Sequence, residues 1–171
     1  TVDGRRATTT ATDTELTVRP TSPLRPGRTV EVVLRYAGRP APETTPVLGT
    51  IGWQRDDKGG WFTMSEPFGT SSWVPVSDHP SDKAVWSITV TAPAAWTVVA
   101  NGRLTGPRTV GGDRRWRWTQ REPMASYLAL VVVGKLDLVQ RDGAPGIRDA
   151  FAFPTHLADD RRTGFDQTDE I

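Results

Sequence analysis

Apolar and polar positions alternate with a period of two along much of the chain, the spacing of strands with one covered face. Leu16 and Val18 alternate with Thr17 and Arg19. Val30, Val32, Leu34 and Tyr36 alternate with Glu31, Val33 and Arg35, which predicts a strand over 29–36. Ala84, Trp86, Ile88 and Val90 alternate with Val85, Ser87, Thr89 and Thr91, and Trp116 and Trp118 stand between Arg115, Arg117 and Thr119. Tyr127 to Val133 is nearly all apolar, which predicts a strand buried on both faces. Turn signals separate these runs. They are Pro23–Gly27, the polar stretch Asp56–Gly60, Asn101-Gly102, and Gly111-Gly112-Asp113. Asn-Gly between two apolar runs is a strong short-range hairpin signal, so a hairpin is expected between 96–100 and 103–104. Strands at this spacing predict an all-β sandwich or open mixed and antiparallel sheets.

The C-terminal end reads differently. Beyond Leu157, the residues Phe165, Thr168 and Ile171 recur at threefold spacing among acidic positions, and predict the start of a short helix, weakened by Gly164. The last residues, Asp169-Glu170-Ile171, read as a helix interior, and Thr1-Val2-Asp3-Gly4 reads as a strand end and turn. The expected organisation is therefore a β-domain over 1–154, lacking its first strands, and a linker with a helix start over 155–171.

Composition narrows the chemistry. The 171 residues contain no cysteine, which removes disulfides, iron–sulfur sites and thiol nucleophiles, and two histidines, which leave little for an imidazole metal site. The formal charge of +1 lacks the basic field of a nucleic-acid binder. No apolar run is long enough to span a membrane, and no signal peptide is visible. The compartment, cytoplasmic or secreted, stays open.

The most specific stretch runs from Thr63-Met64-Ser65-Glu66-Pro67 to Trp73-Val74-Pro75-Val76-Ser77-Asp78-His79-Pro80-Ser81-Asp82-Lys83-Ala84. Next come the 86–92 strand, Ala100-Asn101-Gly102, the Trp116–Thr119 run, and Pro123-Met124-Ala125-Ser126-Tyr127-Leu128. In order and spacing these pieces resemble the N-terminal domain of the aminopeptidase N family of zinc metallopeptidases, over roughly residues 14 to 140. The resemblance implies a saddle of β-sheets that packs on a catalytic domain and walls its cleft. It also implies that Glu66, as the acidic member of a Gln-x-Glu-type segment, binds the free α-amine of a peptide substrate. A carboxylate and an ammonium form charge-assisted hydrogen bonds, so such an anchor selects for a free N-terminus. The family's Gln is Met64 here, which cannot act as an amide. Its thioether is expected to line the pocket for the first side chain instead.

The family's zinc is held by His-Glu-x-x-His and a further Glu. This chain has only His79 and His156, without that motif, so the resemblance puts the zinc in a separate catalytic domain. The chain is thus expected to be non-catalytic alone. Its expected partners are the substrate N-terminus and its own catalytic domain, not nucleic acid.

Several residues also admit plainer readings. Glu66 can be a solvated carboxylate at a strand end. Asp78–Asp82 reads as a tight connection in which Asp78 accepts backbone N–H groups, with His79 a turn variation and His156 a surface residue. Trp53, Trp61 and Trp73 lie near loops and offer a second class of function, a stand-alone sandwich that stacks carbohydrate or holds another protein. Trp86, Trp116 and Trp118 read as packing. Arg114, Arg115, Arg117 and Arg121 read as a solvated strand face.

Overall fold

A computed structural model describes residues 1–143 and 147–165. The chain divides into two compact units, Thr1–Arg39 and Pro40–Ile171. In the described residues every strand pairing is antiparallel.

The first unit is built on a hairpin of β1 (Ala7–Ala11) and β2 (Leu16–Pro20). Thr12 closes its turn: its N–H donates to the Glu15 carbonyl at 2.9 Å, and its Oγ1 accepts the Glu15 N–H at 3.0 Å. The strand expected over 29–36 does not form as a ladder. It is reduced to one bridge, Val2 to Val32. Its neighbour is too short to offer more. Asp3 and Gly4 take positive φ values of 46° and 73° and turn the chain back after three residues. The Asp3 carboxylate then fixes the pairing. It accepts from Arg28 Nη2 at 2.6 Å and from the Glu31 N–H at 2.9 Å. Alternation in the sequence was real, but Val32, Val33 and Tyr36 remain exposed.

The second unit holds three sheets. The largest contains β3 (Glu43–Thr45), β4 (Gly49–Arg55), β5 (Trp61–Met64), β7 (Thr97–Ala100) and β10 (Val131–Gly134), in the order β3-β4-β5-β10-β7. A second sheet has β9 (Asp113–Met124) between β6 (Ala84–Pro93) and β8 (Arg103–Val110). A ribbon of β11 (Leu136–Asp142) and β12 (Arg148–Pro154) completes the set. The sheets share a common core, with β7 buried on both faces. From β6 and β9 come Ile88, Val90, Ala92, Trp116 and Trp118; from β7 and β10 come Val98, Val99, Ala100, Val131 and Val133. Cross-strand register sets Ile88 and Leu104 on either side of Trp118, and Val90 beside Trp116. On the opposite face Arg115 and Arg117 are exposed, so the period-two reading of this strand holds residue by residue.

Two of the expected turns close hairpins. Asp56 closes the β4–β5 turn, with its carboxylate accepting from the Lys58 N–H at 2.7 Å and the Gly60 N–H at 3.2 Å. Gly111 and Gly112, at φ 58° and 91°, make the two-residue β8–β9 turn that positive φ at both central positions allows. Asn101-Gly102 is not a hairpin. The strands it joins, β7 and β8, belong to different sheets, and the dipeptide carries the chain across the core. Asn101 is used for its side chain: Nδ2 donates to the Leu128 carbonyl at 3.0 Å, and Oδ1 accepts the Leu130 N–H at 2.6 Å. Gly102 is used for its missing Cβ, because at φ 89° any side chain would overlap the Thr119 carbonyl.

The run 127–133 is also shorter as a strand than its apolarity implies. Ser126–Leu128 forms a single 3-10 turn, and β10 begins at Val131. Ala129, Val131 and Val133 are buried, while Leu128 and Leu130 are exposed, so this segment too alternates. Near the C-terminus, 155–165 contains 3-10 turns at Asp159–Arg161 and Thr163–Phe165 in place of the expected helix. The rest of that expectation, on Thr168 and Ile171, falls outside the described residues. The turns carry Phe165 to Phe151 and Phe153, at centroid distances of 5.9 and 5.5 Å. Gly164 lowers the helical alternative.

The tryptophans near loops are part of the packing. Trp53 lies 6.2 Å from Trp61 and 6.0 Å from Trp73, centroid to centroid, and all three rest half-buried against the core.

Two predictions follow from this packing. Gly102→Ala should lower unfolding free energy by about 2 kcal/mol or more, since a left-handed backbone and backbone overlap both oppose the methyl group. Gly111→Ala meets no atom within 4 Å and should cost only the left-handed strain, about 1 kcal/mol. Urea unfolding of the pair checks this, and equal losses would refute the close-approach argument. Trp53→Ala should cost roughly 2–3 kcal/mol as a packing residue. An unchanged urea midpoint would instead mark Trp53 as a solvent-facing platform.

Candidate functional site

Strand β5 delivers the segment singled out in the sequence. Its alternation turns Thr63 inward, 3% exposed, and leaves Met64 62% exposed. Thr63 Oγ1 accepts the Val131 N–H at 2.9 Å and donates to the Ala129 carbonyl at 3.3 Å. This bond pair locks β5 to the start of β10. Beyond β5 the same in-and-out order continues: Ser65 is buried, and Glu66 is exposed. Among the described residues the Glu66 carboxylate has neither a hydrogen bond nor an ion pair.

The backbone around Glu66 is held on both sides. The Gly69 N–H donates to the Ser65 carbonyl at 2.6 Å, closing a turn over Glu66, Pro67 and Phe68. A 3-10 turn, Thr70–Ser72, follows at once. Gly69 lies so close to β4 that a Cβ there would sit 2.7 Å from the Gly52 nitrogen. Ser72 Oγ donates to the Gly69 carbonyl at 2.7 Å and accepts the Trp53 N–H at 3.4 Å. The Trp73 indole N–H reaches back to Ser65 Oγ, also at 3.4 Å.

Asp78 takes part in this frame, though not as the sequence implies. Its carboxylate does accept a backbone N–H, but from Ser71, seven residues earlier, at 3.1 Å. Its other oxygen accepts the hydroxyl of Ser126 at 2.6 Å. The Ser126 carbonyl in turn accepts from Thr70 Oγ1 at 2.8 Å. Thr70 and Ser126 are 0% and 1% exposed. Sequence reasoning missed these two. A lone hydroxyl within an otherwise apolar stretch, Ser126 beside Ala125 and Tyr127, is the available signal, since a buried hydroxyl needs a partner.

His79 stays within its own turn, its Nδ1 2.7 Å from Ser81 Oγ. His156 is exposed in the turn after β12. The structure does not bring the two histidines into a common site. Among the described residues no group of three or more His, Cys, Asp or Glu could hold a metal ion. The described residues therefore do not fit a zinc centre. Among the described residues, no helix is long and apolar enough to cross a membrane. Trp53, Trp61 and Trp73, the residues read as a stacking platform, are half-buried, with Trp53 packed against the other two and all three against the core.

This β architecture and the segment it displays have counterparts in known proteins. Residues 5–128 match the model of the peptidase M1 N-terminal domain. An aminopeptidase N of Haemonchus contortus is 30% identical over 111 residues, covering 63% of this chain and 10% of that protein. A two-domain M1 zinc metallopeptidase solved with L-arginine superposes with a TM-score of 0.86 at 31% identity, over 92% of this chain and 37% of that one. The M1 zinc metallopeptidase of Deinococcus radiodurans superposes with a TM-score of 0.81, also at 31% identity, over 92% and 38%. A variant of the Deinococcus radiodurans enzyme, solved with a Tyr-Ser-Ala substrate, gives 0.80. The chain thus spans a tenth of the curated relative and under two-fifths of the solved ones. With a fold, a sequence segment and a family match that coincide over most of its length, the chain belongs to the peptidase M1 family, as an N-terminal domain.

Proposed function

We propose that this domain packs on a zinc-bearing catalytic domain of the same polypeptide and supplies the carboxylate that holds the substrate's α-amine. The polypeptide in this reading is an aminopeptidase that removes N-terminal residues from peptides. Zinc and the hydrolytic groups belong to the other domain. The observation that carries the reading is the state of Glu66: an exposed carboxylate without an internal partner, on a turn whose backbone is tied down at Ser65 and Gly69.

That combination suits recognition of an ammonium. A carboxylate already bonded to an internal cation would have to break that pair before binding another. A carboxylate on a loose loop would lose conformational freedom on binding, which subtracts from affinity. Glu66 avoids both costs. Met64 is exposed two residues earlier, where its flexible thioether can adapt to the first side chain of a substrate. It offers no amide to share the ammonium, so Glu66 carries the charge-assisted bonds from this domain alone.

The experiment uses aminoacyl substrates with a chromogenic leaving group. The isolated chain with added zinc should show no turnover above background, and turnover at an enzyme-like rate would overturn the division of labour. In the full-length polypeptide, Glu66→Gln should lower kcat/KM for free-amine substrates by about 10- to 100-fold, as expected for a hydrogen bond to a charged group. Wild-type kcat/KM in that variant would remove Glu66 from the anchor.

A further inference from the structure

We propose that Asp78 is the positioning residue for the Glu66 anchor, a proposal that rests on the reading of Glu66 given above. The two oxygens of Asp78 do different jobs. One accepts the Ser71 N–H at 3.1 Å and so grips the segment that follows Glu66. The other accepts the Ser126 hydroxyl at 2.6 Å and so grips the connector between β9 and β10. Ser126 returns a second bond to the same segment, its carbonyl accepting from Thr70 Oγ1 at 2.8 Å. Asp78, Ser126, Thr70 and Ser71 thus close a ring. The ring fixes the 3-10 turn at Thr70–Ser72 to the connector between β9 and β10.

The turn bearing Glu66 lies between this ring and β5. Upstream it begins at Ser65, buried and bonded to the Trp73 indole. Downstream it ends at Gly69, one residue before Thr70. Between those points lie Glu66, Pro67 and Phe68. Releasing Ser71 and Ser126 from Asp78 removes two of the downstream bonds and leaves that end to Thr70 Oγ1 on the Ser126 carbonyl and to Ser72 on Gly69, a looser hold on the turn that bears Glu66. A carboxylate displaced by about 1 Å from its ammonium loses much of a directional bond.

The chemistry also says why an acid stands here. A carboxylate offers two acceptors to two donors, and a charged acceptor shortens the hydroxyl bond. Asn at this position keeps an acceptor for the Ser71 N–H. Its amide N–H₂ can face Ser126 Oγ if the hydroxyl turns to accept. Asp78→Asn is therefore the conservative variant, and Asp78→Ala removes both bonds.

The test measures kcat/KM in the full-length polypeptide for a free-amine substrate and for its des-amino analogue, and compares their ratio. That ratio does not depend on how much protein is folded, so a merely structural loss leaves it unchanged. Asp78→Ala should lower the preference for the free amine by about tenfold. Asp78→Asn should restore most of it, and hydrolysis of the des-amino analogue should not change. Should Asp78→Ala fail to fold, Ser126→Ala removes one arm of the ring and should lower the same ratio by about threefold. An unchanged ratio in Asp78→Ala, or in Ser126→Ala where that variant stands in, overturns the proposal. Glu66→Gln, measured alongside, separates the two claims. If it abolishes the preference while the ring variants keep it, only the positioning role falls. If Glu66→Gln keeps the preference, the anchor reading fails and the positioning role goes with it.

Discussion

Trp118 ties the second unit together. Its indole fills the space between the three-stranded sheet and the five-stranded sheet at 1% exposure, and its Nε1–H donates to the Val98 carbonyl at 3.0 Å. An indole buried without a partner would be costly, and an indole at the surface would not join the sheets. This one does both jobs because β9 places it directly opposite β7. Everything that presents the candidate site follows from that register. With β7 and β10 fixed against β9, Thr63 can bridge β5 to β10, and β5 then aims Met64 and Glu66 at solvent. Large aromatics in the core also explain how a chain sparse in Leu and Ile closes a sandwich at all. Seven tryptophans supply area that aliphatic residues supply elsewhere.

The periodicity of β6 and β9 was legible in the sequence because each strand has one face against the core. Trp116 and Trp118 go in and Arg115 and Arg117 go out, and the alternation survives because the outer face is exposed among the described residues. The same rule misled at 29–36. There the alternation is as regular, yet among the described residues the segment pairs only with a neighbour three residues long that turns away at Gly4. Period two states that a segment can have two faces. It does not state that a partner exists to pair with it.

Asn101-Gly102 failed as a hairpin for a related reason. A two-residue turn joins strands that stay side by side, whereas β7 and β8 must enter different sheets. The residues were chosen for other properties of the same chemistry: an amide that can serve as donor and acceptor at once, and an α-carbon that can press against the Thr119 carbonyl. Local signals identify which conformations are allowed, and topology decides which use is made of them. The resemblance of the 63–84 segment succeeded because it concerned order and spacing across several turns, which chance reproduces less readily than one dipeptide. Asp78 shows the limit of that success. Its tendency to cap N–H groups was readable, but Ser126, 48 residues ahead, was not.

The buried hydroxyls bear on how this sandwich fixes the turn that follows β5. Thr63, Ser65, Thr70 and Ser126 are the buried polar side chains among the described residues, and all four lie around one short stretch of backbone. Three of them join β5 and the Glu66 turn to the connector before β10 or to that strand; the fourth takes the Trp73 indole. A sandwich stabilised only by apolar contact would hold its sheets together just as well, and would gain nothing from hydroxyls in its interior. Directional bonds add something that apolar contact lacks, namely a single permitted geometry for the segment they hold. They are concentrated around β5, the turn after it and the connector before β10, and not behind the exposed arginines of β9.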